Sequence, residues 1–376
     1  MEVIEANFNE YNQLVKPNLF YNKPVFNDLN SARAEKIHYL IFKDTKNRFG
    51  LTIGERNGEW LCPFSAPFGT FVNIKNKWDL YQLEESLKAF DEFMQDKKNK
   101  VVFGLPPEFF SQKIVCTMQN SLFNLGYSVD SFDVNFQLNL AKVYVDNYME
   151  IIPYNGKKNL KIALNSGLSL NHCESEEEKK RAYELIRINR ESRGYPLNMS
   201  CEQVMKTIQL VDHDMFIVSH GSDEIAAALV YHVSDKIAQV IYWGDIPGYG
   251  ELKPINFLSY NLIQYYGSRG FDYLDIGIST DHSVLNFGLA DFKISVGCDT
   301  SMKLTFSKDY SIVKKGAERN SGAAKGTFMH NISYLRNRGG GYRLKQKNKH
   351  KYRTYLCQVK DFDIVRYHES VEYLAA

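Results

Sequence analysis

The sequence predicts an α/β (α+β) fold: two tandem domains, each a mixed, mostly antiparallel sheet flanked by helices, then a basic C-terminal extension. Three observations carry this reading. At 376 residues the chain holds about two domains' worth of roughly 150 residues each. Apolar residues make up 44% and aromatics 14%, enough for sizeable cores rich in strands. Both halves also run through one order of elements: helices, a meander of strands, a turn marked by Pro and Gly, a helix, a strand, a helix or turn, and a last strand. The expected boundaries are 1–154, 155–310 and 311–376.

In the first half, residues 37–42 and 49–53 read as strands joined by a turn at 44–48. Residues 60–72 are strand-like but interrupted by Pro63, Pro67 and Gly69, which predicts a sharp turn. Residues 79–94 place Leu80, Leu83, Leu87 and Phe90 on one helical face, with Asp79 as N-cap. A short strand over 100–105 ends at Pro106-Pro107. A helix over 111–125 stops at Gly126, and residues 127–140 alternate as a strand.

The basic, Gly-flanked segment 155–167 reads as the junction between the halves. Ser175 and Glu178 then form a capping box for a helix with Ala182, Leu185, Ile186 and Asn189 on one side, ending before Gly194. A second helix covers 201–210. Strands follow at 215–219, 225–232 and 236–242. Pro254 suits the first position of a helix that turns Ile255, Leu258, Leu262 and Tyr266 inward. A strand at 273–276, a helical turn around 286–291 and a strand at 300–306 complete the half.

Several classes are disfavoured. A net charge of +2 argues against a general nucleic-acid binder. The 6 cysteines are scattered without zinc spacing, so no metal is expected. No signal peptide is visible at Met1, and no run approaches the ~18 apolar residues of a spanning helix, so a cytoplasmic location is the default. No Gly-x-Ser-x-Gly elbow supports a serine triad. Oligomeric state is not encoded in any pattern here.

Chemistry is expected where strands end and helices begin. The strand over 237–242 ends in Trp243-Gly244-Asp245, which makes Asp245 a polar group at a strand terminus, with Tyr242 and Trp243 as pocket walls or as core. Asp275, at the end of an interior strand, needs a partner or a wet cleft. The turn before Pro254 offers Gly248, Gly250, Lys253 and the amides of Ile255 and Asn256 to a phosphate. His282 could act as a base or simply be solvated.

The run Asn286-Phe-Gly288-Leu289-Ala-Asp-Phe292-Lys293, with Gly297 after it, resembles the closing motif of the FemAB-like acyltransferases, a family built from two GNAT domains. Residues 63–69, 157–163 and 254–260 are similar to its first-domain turn, its basic second-domain opening and its helix after the acceptor strand. The resemblance spans roughly residues 1–308. It implies N-acyl transfer in the second domain, from acyl-CoA or aminoacyl-tRNA as co-substrate with no tightly bound cofactor, to an amine such as that of an amino sugar or cell-envelope precursor. It implies Lys293 as a phosphate or oxyanion ligand and places Asn286, Asn256 and Tyr260 at the substrate. The segment 246–253 departs from the usual GNAT pyrophosphate loop. That departure keeps a silent GNAT-like binding module as the alternative. The basic run 338–353, with interleaved Tyr, suggests contact with tRNA or an anionic membrane surface, or a solvated extension.

Overall fold

The computed structural model describes residues 1–144 and 148–311. The first half opens with β1 (Glu2–Ala6) and α1 (Phe8–Leu14), where Asn7 and Glu10 form a capping box. Helix α2 (Pro24–Leu29) begins on its proline. Strands β2 (Lys36–Lys43) and β3 (Asn47–Arg56) turn at Asp44, whose carboxylate accepts from the Lys46 amide. Two short strands, β4 (Glu59–Cys62) and β5 (Val72–Asn73), bracket the Pro-rich turn. Helix α3 (Leu80–Lys97) carries the expected Asp79 cap, and β6 (Lys100–Gly104) follows. Helix α4 (Gln112–Asn124) ends near Gly126 at φ +83°, a left-handed stop that glycine adopts without strain. The half closes with β7 (Ser128–Asn139).

After the short α5 (Leu140–Val143) and α6 (Tyr148–Ile151), the segment expected as a junction is helix α7 (Tyr154–Asn165). Its periodic Gly156, Leu160 and Ala163 are buried, and that stripe outweighs the basic composition. Strand β8 (Leu168–His172), α8 (Glu176–Ser192) and α9 (Cys201–Thr207) lead to β9 (His213–His220), β10 (Asp223–Ser234) and β11 (Ile237–Asp245). Then come α10 (Pro254–Ser268), β12 (Tyr273–Ile278), the hairpin β13 (Thr280–Asp281) and β14 (Val284–Leu285), α11 (Phe287–Ser295) and β15 (Asp299–Asp309).

One mixed sheet runs through both halves in the order β1-β2-β3-β4-β6-β15-β7-β12-β11-β10-β9-β8, with β5 beside β3. Strand β15 leaves the second half to pair with both β6 and β7, and β7 pairs in turn with β12. The two halves therefore share backbone hydrogen bonds rather than only side-chain contacts. At the seam, Phe20 meets Tyr231 edge-on at 6.1 Å between ring centroids, and Phe20, Phe26, Phe68 and Phe110 are buried against the α8 layer. Each such ring removed from water contributes roughly 1.5–3 kcal/mol.

The far end of α10 is anchored on the opposite side of the sheet. The Asp214 carboxylate accepts from Tyr265 and Tyr266 hydroxyls, each at 2.8 Å, and bonds His172 and His232 Nε2, each at 2.7 Å. Burial alone would raise its pKa, but the bonds from His232, Tyr266 and Tyr265 hold it below the ordinary carboxylate range. This fixes where the N-terminus of α10 points.

Candidate active site

Strands β11 and β12 are parallel neighbours for only three pairs, Ile237–Tyr273, Ala238–Leu274 and Gln239–Asp275, and then part. Each strand has an irregularity just beyond the last pair. On β11 the register with β10 shifts between Tyr242 and Val240, so Ile241 is the extra residue. On β12 the register with β7 shifts between Asp275 and Gly277, so Ile276 is extra. Bulges bend and twist the strand that carries them, and two facing bulges open a gap in an otherwise continuous sheet.

A cavity lies on either side of that gap, of about 600 Å³ and about 760 Å³. Arg190, Val240, Ile241, Tyr242, Ile276 and Ile278 line both. The first is closed by the end of β11, the start of α10, α11 and the last turns of α8. Helix α10 starts at Pro254 after Lys253 in the left-handed region (φ +55°), and no side chain caps it. Its first amides lack intrahelical acceptors and carry the positive end of the helix dipole toward the cavity. Asn286 caps α11 by accepting from the Leu289 amide at 3.1 Å. At the β11 terminus, Asp245 accepts from Arg193 at 3.0 Å, and Asn189 Nδ2 donates to the Asp245 carbonyl at 2.6 Å. Gly244 allows this approach, because a Cβ there would fall 2.3 Å from the Asn189 side chain.

The second cavity holds the buried carboxylate. Asp275, 1% exposed, accepts from Asn135 at 2.7 Å, Gln239 at 2.6 Å and the Gly277 amide at 3.2 Å. Gln239 accepts in turn from the Tyr21 hydroxyl, so a first-half residue fixes a second-half one. Burial raises the Asp275 pKa, and the Asn135 and Gln239 bonds offset part of that rise. Four cations face the same space: Arg33 and Arg56 at the exposed edge, Arg190 and Lys303 deeper. Burial pulls the pKa of both Arg190 and Lys303 down. The Arg190 Nε has no hydrogen-bond partner, and among the described residues none of the four pairs with a carboxylate.

No family model matches the chain, and no curated protein matches it in sequence. Solved structures do. FemX superposes with a TM-score of 0.58 at 12% identity, covering 84% of this chain and 98% of FemX. This chain has a FemX-like fold. A C-terminal domain from Agrobacterium fabrum described as that of a lysylphosphatidylglycerol synthetase gives 0.54 at 9% identity, over 88% of this chain and 98% of that one. L-PGS from Bacillus licheniformis gives 0.50 at 11% identity, over 88% and 97%.

On this FemX-like frame, the first cavity gathers Tyr242, Trp243, Asp245, Gly250, Lys253, Ile255, Asn256, Asn286 and Lys293. Asp275 and Tyr242 face the second. Gly248 (φ +98°) is exposed and lines neither, and Tyr260 packs on Tyr148 at 5.7 Å between centroids instead of facing a cavity. His282 is exposed at the tip of the β13–β14 hairpin, at φ +48°. Lys293 lines the first cavity but is only 2% exposed. Its three ammonium donors are spent on the carbonyls of Ile276 (3.1 Å), Gly277 (2.8 Å) and Ile278 (2.9 Å). The basic run 338–353 lies outside the described residues.

Sequence reasoning missed Arg190, Lys303, Tyr21, Gln239 and Asn135. Arg190 had a weak signal: it follows Ile186 by four residues, extending an apolar stripe with a charge. Lys303 alternates between Met302 and Leu304 and gives none.

Proposed function

We propose that this protein is an N-acyltransferase that moves an acyl or aminoacyl group from an activated carrier to an amine. The observation that carries this reading is the pair of cavities meeting through one gap in the sheet. A carbonyl presented from one side can there meet a nitrogen presented from the other, within the roughly 3 Å that transfer demands. The domain described as a lysylphosphatidylglycerol synthetase shares the fold, and its name denotes an aminoacylated product.

The donor enters the first cavity. Its phosphates sit against the first amides of α10 with Lys253 beside them, an arrangement that suits acyl-CoA or the terminal phosphates of an aminoacyl-tRNA. The unpaired backbone edge of β11 holds its extended arm. In the second cavity Asp275 is the general base: three of its roughly four lone-pair sites are taken, leaving one for an ammonium or a bridging water. The freed nitrogen attacks the carbonyl carbon, a C–N bond forms, and the C–S or C–O bond to the carrier breaks. Tyr242, kept protonated because burial raises its pKa, faces both cavities, gives its proton to the leaving group and takes up the one that the acylated nitrogen sheds. Asp245 and Arg193 brace the end of β11.

The four cations of the second cavity suit an amine whose molecule also bears an anionic group, as phosphorylated cell-envelope precursors and acidic amino sugars do. Burial of Arg190 and Lys303 is costly, and the charges of Asp133 and Asp275 offset it only in part at Lys303, so an anion supplied by the ligand is favoured. Lys303→Met should raise KM for such acceptors about 10–100-fold, the range for losing one hydrogen bond to a charged group, with little change for neutral amines. Equal effects on both acceptor types would remove the charge-recognition role.

The departure of residues 246–253 from the usual GNAT loop favours a second reading, a silent binding module. Calorimetry with acetyl-CoA and a panel of acyl-CoAs, beside transfer assays with charged tRNA, separates the two. No heat from any acyl-CoA and no transfer from tRNA would leave the silent module standing.

A further inference from the structure

The gap between β11 and β12 creates a problem that the structure has to solve. Where parallel strands part, the carbonyls that would have accepted from the neighbouring strand lose their partners, and a buried carbonyl without one is destabilising. In a regular strand successive carbonyls point to opposite edges, so no single side chain could reach three in a row. Here one does. Gly277 adopts φ +74° inside β12, a conformation that L side chains rarely take, and the alternation breaks at that residue. The carbonyls of Ile276, Gly277 and Ile278 then converge on the Lys293 ammonium, which also lies 5.2 Å above the Phe136 ring. From the other side, Asp275 accepts the Gly277 amide.

We propose that Lys293 is a positioning residue: with Gly277 it satisfies the end of β12 in place of β11, and so holds open the gap in which transfer takes place. The ammonium replaces a strand edge, and its donors are all committed, which leaves none for a phosphate or an oxyanion. Helix α11, which carries Lys293, thereby sets the width of the gap. The device is a property of the sheet and stands whatever the donor or acceptor proves to be. Burial, opposed by the nearby Cys298 and Asp275, brings the Lys293 pKa down to about 8. Those are the titratable groups that act on it, Asp275 on β12 and Cys298 ahead of β15. Burial holds the Cys298 thiol far above its usual range, so Cys298 stays neutral while the lysine titrates. A neutral amine has two N–H donors rather than three, so the clasp loses a bond above that pH.

Hydrogen–deuterium exchange on the full chain tests this without any substrate. In Lys293→Met the freed carbonyls of β12 recruit amides on the facing edge of β11, the edge that β12 leaves after Gln239. Exchange over 240–242 should therefore slow about tenfold or more, with β9 and β10 unchanged, and Lys293→Arg should restore the parent pattern. Unchanged exchange at 240–242, or faster exchange spread over the whole sheet, would overturn the proposal. If the Met variant does not fold, the parent protein compared at pH 7 and pH 9.5, corrected for intrinsic exchange, decides. A local gain in protection at 240–242 supports the clasp, and identical protection at both pH values refutes it.

Discussion

Replacing Asp275 with asparagine should slow transfer by about 10²–10⁴-fold, the usual worth of a general base, while leaving the fold as stable as before or more so at neutral pH. The stability half follows from the direction of its pKa. Burial raises the folded-state value above that of the unfolded chain. Between those two values the folded protein holds a proton that the unfolded chain has released. The stability contributed by this carboxyl is thus complete below the ordinary carboxylate range and lost as pH climbs through the raised value. Above the raised value the ionised form is a burden that the neutral carboxamide removes. The surroundings can accept the change. The new carboxamide oxygen still accepts from Asn135 and the Gly277 amide, while a flipped Gln239 accepts from its NH₂ group and donates to the Tyr21 hydroxyl oxygen. The measurements are a thermal melt at pH 7 and steady-state transfer against pH. Parent activity should rise with pH through the raised Asp275 value, and the variant should lack that limb. A variant within about threefold of the parent at every pH would take Asp275 out of the proton path.

How much of this was legible in the sequence divides along the range of the interactions. Helices α3, α8 and α10 announced themselves through Asp79, the Ser175–Glu178 box and Pro254, because caps and apolar stripes are set within a turn or two. The rule that ligands meet strand ends and helix starts pointed to Tyr242, Asp245 and Lys253, and the family resemblance to Asn286; all four line one cavity. What stayed hidden depends on pairings between distant segments. Nothing near residue 303 tells that β15 crosses to pair with β6 and β7, so the cavity that Lys303 faces could not be read. Tyr21 meets Gln239 across the seam, a contact with no local signature. Lys293 was legible as a motif residue but not as a clasp, because the clasp depends on the backbone at Gly277. Glycine in a strand says only that a bulge or close approach is allowed there.

Gly156→Ala should be strongly damaging for a single added methyl, although its segment reads in the sequence as a basic junction. A Cβ at Gly156 would lie 1.9 Å from the Ser295 carbonyl oxygen, a backbone atom in the last turn of α11. That contact has to open by more than an ångström before an alanine fits, and neither partner is a flexible side chain. Alanine gains about 1 kcal/mol of helix propensity over glycine, yet overpacking against backbone costs typically 1–3 kcal/mol or more, so a net loss of roughly 1–2 kcal/mol is expected. The functional cost should exceed the stability cost. Helix α11 carries Phe292 and Lys293 and is capped by Asn286, so moving it off α7 draws the ammonium away from Ile276–Ile278 and changes the gap. Transfer should fall at least tenfold even where the protein remains folded. Gly288→Ala on α11 provides the contrast, since its nearest neighbour would be the Asn286 Oδ1 at 3.6 Å and the helix gains propensity without a clash. Melting curves of the two variants should therefore shift in opposite directions. A Gly156→Ala protein that melts at or above the parent temperature would show that α7 does not fix α11, and the link from that helix pair to the gap would fail with it.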